Sequence, residues 1–117
     1  MTRHTRLLLC AVLLLTLTAP CLAAKWYKVL DLQGKGNKTT KWFSVQGAWC
    51  VEYKTWTNTG YDGTFAAWLY DETKHMVALI GNVSGYYRNV TYPKSWGWHY
   101  LDLDSTQSWH VIVWDHY

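Results

Sequence analysis

From residue 25 onward the chain alternates apolar and polar residues in short runs, and each run stops at a cluster of Gly, Asn, Ser, Asp or Thr. Period two places successive side chains on opposite faces of a strand, whereas a helix needs apolar residues three and four apart. No stretch beyond residue 25 keeps a helical period for three turns. The runs predict strands at 25–32, 42–45, 49–53, 65–70, 76–80, 86–92, 98–104 and 109–115. Gln33-Gly-Lys-Gly-Asn-Lys38 and Asn58-Thr-Gly-Tyr-Asp-Gly63 read as loops. Gln46-Gly-Ala48, Asp71-Glu-Thr-Lys-His75 and Ser105-Thr-Gln-Ser108 read as the turns of three hairpins, the first a tight hairpin or a bulge. Seven to eight short strands closely spaced by turn signals predict an all-β fold, an antiparallel β-sandwich.

Residues 1–24 follow a different pattern. Arg3, His4 and Arg6 precede an apolar run from Leu7 to Leu17, and Ala19-Pro-Cys-Leu-Ala-Ala24 ends it with small residues. This predicts a secretory signal helix over 1–24, cleaved after Ala23 or Ala24, and a single domain over 25–117. The apolar run is about half the roughly 20 residues that a spanning helix requires, so no permanent membrane span is expected. The implied location is secreted, or the periplasm or cell envelope.

Alternation also assigns faces. If Trp49, Val51 and Tyr53 point inward, Cys50, Glu52 and Lys54 point outward; if Trp109, Val111 and Val113 point inward, His110, Ile112 and Trp114 point outward. Inward Phe65, Ala67 and Leu69 put Ala66, Trp68 and Tyr70 outside. Trp42, Trp68, Tyr70, Ile112 and Trp114 are then left over after the core is filled. Tryptophan gives this set its weight: there are nine in 117 residues, all after residue 25. Flat aromatic faces on a rigid sheet suit sugar rings, with Glu52, Asp102, Asp104 and His110 as candidate hydrogen-bonding neighbours. They equally suit a protein partner, for which Trp and Tyr are common anchors. The alternative is that these strands are buried on both faces. Trp56, Tyr61, Tyr86, Tyr87, Trp96 and Trp98 lie in or beside turns and form a second candidate surface at one end of the sandwich, or else plug the ends of its core. The candidate ligand-binding residues are therefore Trp42, Trp68, Tyr70, Trp114, Trp56 and Trp96.

Gly97-Trp-His-Tyr-Leu-Asp-Leu103 followed by Trp109-His-Val-Ile-Val113 resembles the ending, G-x-x-Y-L-x-L then W-x-V-x-V, of small exported bacterial β-sandwich domains of uncharacterised function. The resemblance is one of core positions and implies the sandwich fold alone.

Charge and chemistry narrow the function by exclusion. The whole chain carries +3, but only nine Lys and Arg face eight Asp and Glu from Lys25 onward, so no basic footprint for nucleic acid is expected. Cys10 and Cys21 fall in the signal, leaving Cys50 without an intramolecular disulfide partner and read as a small apolar strand residue. His75, His99, His110 and His116 make no ligand spacing, Asp102 and Asp104 share one strand face, and no nucleophile elbow, phosphate loop or dinucleotide fingerprint occurs. Neither a catalytic activity nor a cofactor or metal is expected. Asn37, Asn82 and Asn89 stand in N-x-S/T sequons, used only in a eukaryotic secretory pathway. The expectation is a small secreted, non-catalytic binding module for a cell-surface glycan or protein. A secreted effector or inhibitor acting through its loops, or a structural envelope component, is the alternative.

Overall fold

The computed structural model describes residues 26–57 and 63–116, so the expected signal segment 1–24 and Tyr61 lie outside the described residues. Nine strands form: β1 (Trp26–Lys35), β2 (Lys38–Thr39), β3 (Phe43–Val45), β4 (Ala48–Trp56), β5 (Thr64–Asp71), β6 (Met76–Ser84), β7 (Tyr87–Thr91), β8 (Gly97–Ser105) and β9 (Ser108–His116). The first sheet runs β1-β9-β4-β7 and the second β2-β8-β5-β6, with β3 also paired to β8; every pairing is antiparallel. β2 lies beside Leu103 and Asp102 of β8, and β3 beside His99 to Gly97, so the two short segments share one edge of that strand. Counted as one position, they complete two four-stranded sheets in the order of a double-sheet jelly roll.

Side chains of opposite inner faces fill the space between the sheets. Trp49, Val51 and Tyr53 of β4 and Trp109, Val111 and Val113 of β9 meet Phe65, Ala67 and Leu69 of β5 and Leu101 and Leu103 of β8. Phe43, Val45, Leu30 and Ile80 close the margins. These inward positions agree with the alternation in the sequence. β6 carries two register shifts against β5, around Ile80 and Val77, and β1 one against β9 around Val29. Such bulges add local twist and interrupt the regularity of an edge.

Two of the three expected hairpins are sheet-to-sheet corners. β3 and β4 belong to different sheets, as do β8 and β9; β5 and β6 alone form a hairpin within one sheet. The polar groups at the corners show why. Asp115, almost fully buried, accepts hydrogen bonds from the Gln46 and Gly47 backbone N–H groups (2.8 and 3.0 Å), which fastens the β3–β4 corner to β9. In the β8–β9 corner, Gln107 donates from Nε2 to the Gly85 carbonyl and accepts from the Gly85 N–H through Oε1 (3.0 and 3.1 Å). Gly85 itself adopts φ 74°, a left-handed conformation suited to glycine, between β6 and β7. Runs expected to pair directly thus face each other across the core. β2 begins at the last residue of the expected 33–38 loop, where no strand is expected, and β1 extends three residues beyond its expected end into that loop.

Candidate binding face of the second sheet

The β5–β6 turn organises one side of the candidate site. The Asp71 carboxylate accepts hydrogen bonds from the Thr73 hydroxyl (2.6 Å) and from the Thr73 and His75 N–H groups (2.9 and 3.0 Å). These bonds, the Thr73 hydroxyl first, hold its pKa below the ordinary carboxylate value. The turn places Lys74, at φ 64°, beside the outer face of the sheet.

Across that face, register brings aromatic residues from three chain segments into one row. Tyr70 of β5 pairs with Tyr100 of β8 on one side and Met76 of β6 on the other. The Tyr70 and Tyr100 rings stack with centroids 5.1 Å apart and planes 9° from parallel. Trp42, immediately before β3, meets Tyr100 edge to face at 4.7 Å. Each tyrosine therefore gives one ring face to the other, and Trp42 remains 42% exposed. A pocket of about 270 Å³ opens here, lined by Thr39, Thr40, Trp42, Lys74 and Tyr100. In the next row Trp68 lies between Asp102 of β8 and Leu79 of β6, and the Thr39 hydroxyl donates to the Asp102 carboxylate at 3.1 Å. Met76 and Leu79 are 56% and 51% exposed, so the apolar surface continues to the β6 edge.

The expected ligand-binding residues do not form one site. Trp42, Trp68 and Tyr70 share the outer face of the second sheet, whereas Trp114 and Trp56 lie on the outer face of the first, across the full thickness of the sandwich. Trp96 sits at the corner where its indole N–H reaches the Gly47 carbonyl at 2.9 Å. The outward direction of Trp42, Trp68, Tyr70 and Trp114 agrees with the alternation, and Trp56, read as a turn residue, is the last residue of β4; the grouping does not agree, because alternation gives a face within a strand without saying which sheet the strand joins. The proposed polar neighbours divide the same way: Asp102 and Asp104 go with Trp68, and Glu52 and His110 with Trp114. The turn aromatics also separate, Trp56 and Tyr86 lying at one end and Trp96 at the other.

Tyr100 is the member the sequence reading omitted. The signal was present, since Tyr100 shares outward parity with Asp102 and Asp104. A second unforeseen pair is Ser95 and His99. His99 Nδ1 faces the Gly97 carbonyl at 3.0 Å, which fixes the proton on that nitrogen, so Nε2 accepts from the Ser95 hydroxyl at 2.8 Å. A serine donating to a neutral imidazole is the first contact of a nucleophile–base pair. Here, however, the imidazole is wholly buried between Phe43 and Trp49, and desolvation lowers its pKa, weakening it as a base. The orienting group is a backbone carbonyl, so the pair is well suited to locking the turn before β8.

Among the described residues no three His, Cys, Asp or Glu side chains group to hold a metal ion. His110 and His116 point outward from β9 while Asp115 points inward, so these three side chains do not converge on one face of the strand. No described helix is long and apolar enough to cross a membrane.

No protein-family model and no curated protein matches the chain. Solved structures similar to it include a chain of the T13 particle of infectious bursal disease virus, at 10% identity and TM-score 0.42, covering 79% of this chain and 31% of that one. A chain of the Gx strain of the same virus is similar at 10% identity and TM-score 0.39, covering 79% and 32%. The chain thus spans about a third of the length of these virus proteins.

Proposed function

We propose that this protein is a small exported, non-catalytic binding module that holds a glycan on the outer face of its second sheet. The observation that carries the reading is the cross-strand row Trp42–Tyr100–Tyr70, with Trp68 in the adjoining row and Thr39, Asp102 and Lys74 at its margin. The apolar face of a pyranose fits an exposed indole, and carboxylate, hydroxyl and ammonium groups beside it match sugar hydroxyls as acceptors and donors. The rigid antiparallel sheet holds Trp68, Tyr70, Tyr100 and Asp102 in place without the ordering cost of a loop.

Export rests on the basic start and apolar run before Pro20. The test is retention of the purified protein on cellulose, chitin and peptidoglycan, with its N-terminus read by mass spectrometry. Trp42→Ala and Trp68→Ala should each weaken retention by at least about 30-fold, equivalent to about 2 kcal/mol for a central aromatic anchor. Trp114→Ala, on the opposite face, should leave it unchanged. Failure of the folded protein to bind any glycan polymer would transfer the same face to a protein partner.

A further inference from the structure

The outer face of the first sheet carries a second pocket that the glycan reading does not use. In one row of that sheet, register places Lys28 of β1, Trp114 of β9 and Cys50 of β4 side by side, and Tyr92 follows by extension of the Val51–Thr91 pairing. A small residue between two large aromatic ones leaves a slot. The resulting pocket, of about 320 Å³, is lined by Trp26, Cys50, Glu52, Val90, Tyr92 and Trp114.

The lining is selective in charge. Glu52 is the acidic side chain of the lining; Oε1 accepts the Trp114 indole N–H at 3.0 Å and Oε2 accepts from Arg88 at 3.3 Å. The carboxylate thereby fixes the indole that forms one wall. Arg88 is largely exposed, so its pairing with Glu52 is screened by water, and Arg88 itself stands outside the lining of the slot. Burial first, then the Glu52 charge, push the pKa of the Cys50 thiol up to about 11. On its β1 side, the same Trp114 ring already carries a cation, the Lys28 ammonium 5.4 Å from the ring centroid, which Asp31 neutralises at 3.2 Å. The β4 side is open.

From this geometry we infer that the pocket binds a trimethylammonium group. Trp114 of β9 and Tyr92, one residue past β7, project from backbones two strand spacings apart, about 9.5 Å. A compact ammonium head midway between such walls lies about 5 Å from each, inside the roughly 6 Å range of cation–π attraction. A flat ring in van der Waals contact with both walls would fill only about 7 Å of that gap. Trp26, stacked on His116 at 4.7 Å, closes the end of the slot away from Glu52. The chemistry is that of free choline and of a phosphocholine headgroup alike.

Indole ¹H–¹⁵N signals of Trp114 and Trp26 provide the readout, since both rings line the pocket. Choline chloride should shift both saturably, and 3,3-dimethylbutan-1-ol, its uncharged isostere, should bind about tenfold more weakly or less. Glu52→Gln should weaken choline binding severalfold with little effect on the isostere, and Trp114→Leu should abolish the Trp26 shift. Trp42→Ala, in the glycan face, should leave choline binding intact. Phosphatidylcholine vesicles that co-sediment with the protein and release it on addition of choline would assign the group to a lipid headgroup; choline binding without vesicle binding would assign it to the free molecule. Equal affinity for the isostere, or no saturable shift in a protein whose spectrum is that of the folded state, would overturn the inference.

Discussion

Gly81 sits on the inner face of β6 opposite Ala67, against the ring of Tyr53 from the other sheet. A Cβ at this position would come within 2.7 Å of Tyr53 Cζ, 2.8 Å of Oη and 3.0 Å of Cε1. The ring has little room to retreat, being buried and stacked on Phe65 at 5.4 Å and Tyr87 at 6.3 Å. Overpacking of this kind costs about 1–3 kcal/mol. Replacing glycine in a strand returns up to about 1 kcal/mol through the unfolded chain. Gly81→Ala should therefore destabilise the fold by about 1–2 kcal/mol. With a urea m-value near 1 kcal/mol/M, the unfolding midpoint should fall by about 1–2 M at unchanged slope. The decisive arm is the same substitution in a Tyr53→Leu background, where the ring atoms are gone. There Gly81→Ala should stabilise by up to about 1 kcal/mol, giving a coupling of about 2 kcal/mol. A neutral Gly81→Ala, or an equal loss in both backgrounds, would refute the assignment of Tyr53 as the cause.

Three further outcomes are expected. Because burial lowers the His99 pKa, the unfolded chain takes up its proton first; the stability present above about pH 6.5 should decline as pH falls through that value towards the lower folded-state one. His99→Gln should flatten this part of the urea-midpoint profile, which precedes the losses from Asp31 and Asp71 below their ordinary 3.8. Asp115→Ala leaves the Gln46 and Gly47 N–H groups without their acceptor and should cost about 2–3 kcal/mol in urea unfolding, with Asp115→Asn losing less. The Cys50 peptide, followed by mass spectrometry, should acquire a maleimide label in the native protein far more slowly than in urea, because the thiol is buried and its pKa lies near 11; equal rates would contradict both properties.

Face was legible in the sequence and partnership was not. The alternation of Trp49, Val51 and Tyr53 and of Trp109, Val111 and Val113 correctly marks the core, since these six positions are buried and their outward neighbours are mixed. The same pattern arises whether two successive runs are hydrogen-bonded in a hairpin or face each other across a sandwich, so the β3–β4 and β8–β9 corners were hidden in it. Their determinants are single polar residues, Asp115 and Gln107, whose partners lie far away in sequence. The candidate site inherits this limit. Outward tryptophans could be read from parity, but the separation of Trp42 and Trp68 from Trp114 depends on which sheet each strand enters. The Cys50 slot required the further knowledge that Trp114 and Tyr92 flank it from strands distant in the chain.

The place of β9 has a consequence for how the fold is reached. This strand, Ser108–His116, follows the other eight described strands in sequence yet lies in the middle of the first sheet, between β1 and β4. As the polypeptide is made from its N-terminus, β1 and β4 exist long before the neighbour that joins them. Loop closure across most of the chain must precede the hydrogen bonds that reward it, a topology associated with slow folding. During synthesis the inner apolar faces of β1 and β4 therefore wait for β9, and the first sheet closes only after Trp109, Val111 and Val113 have been added.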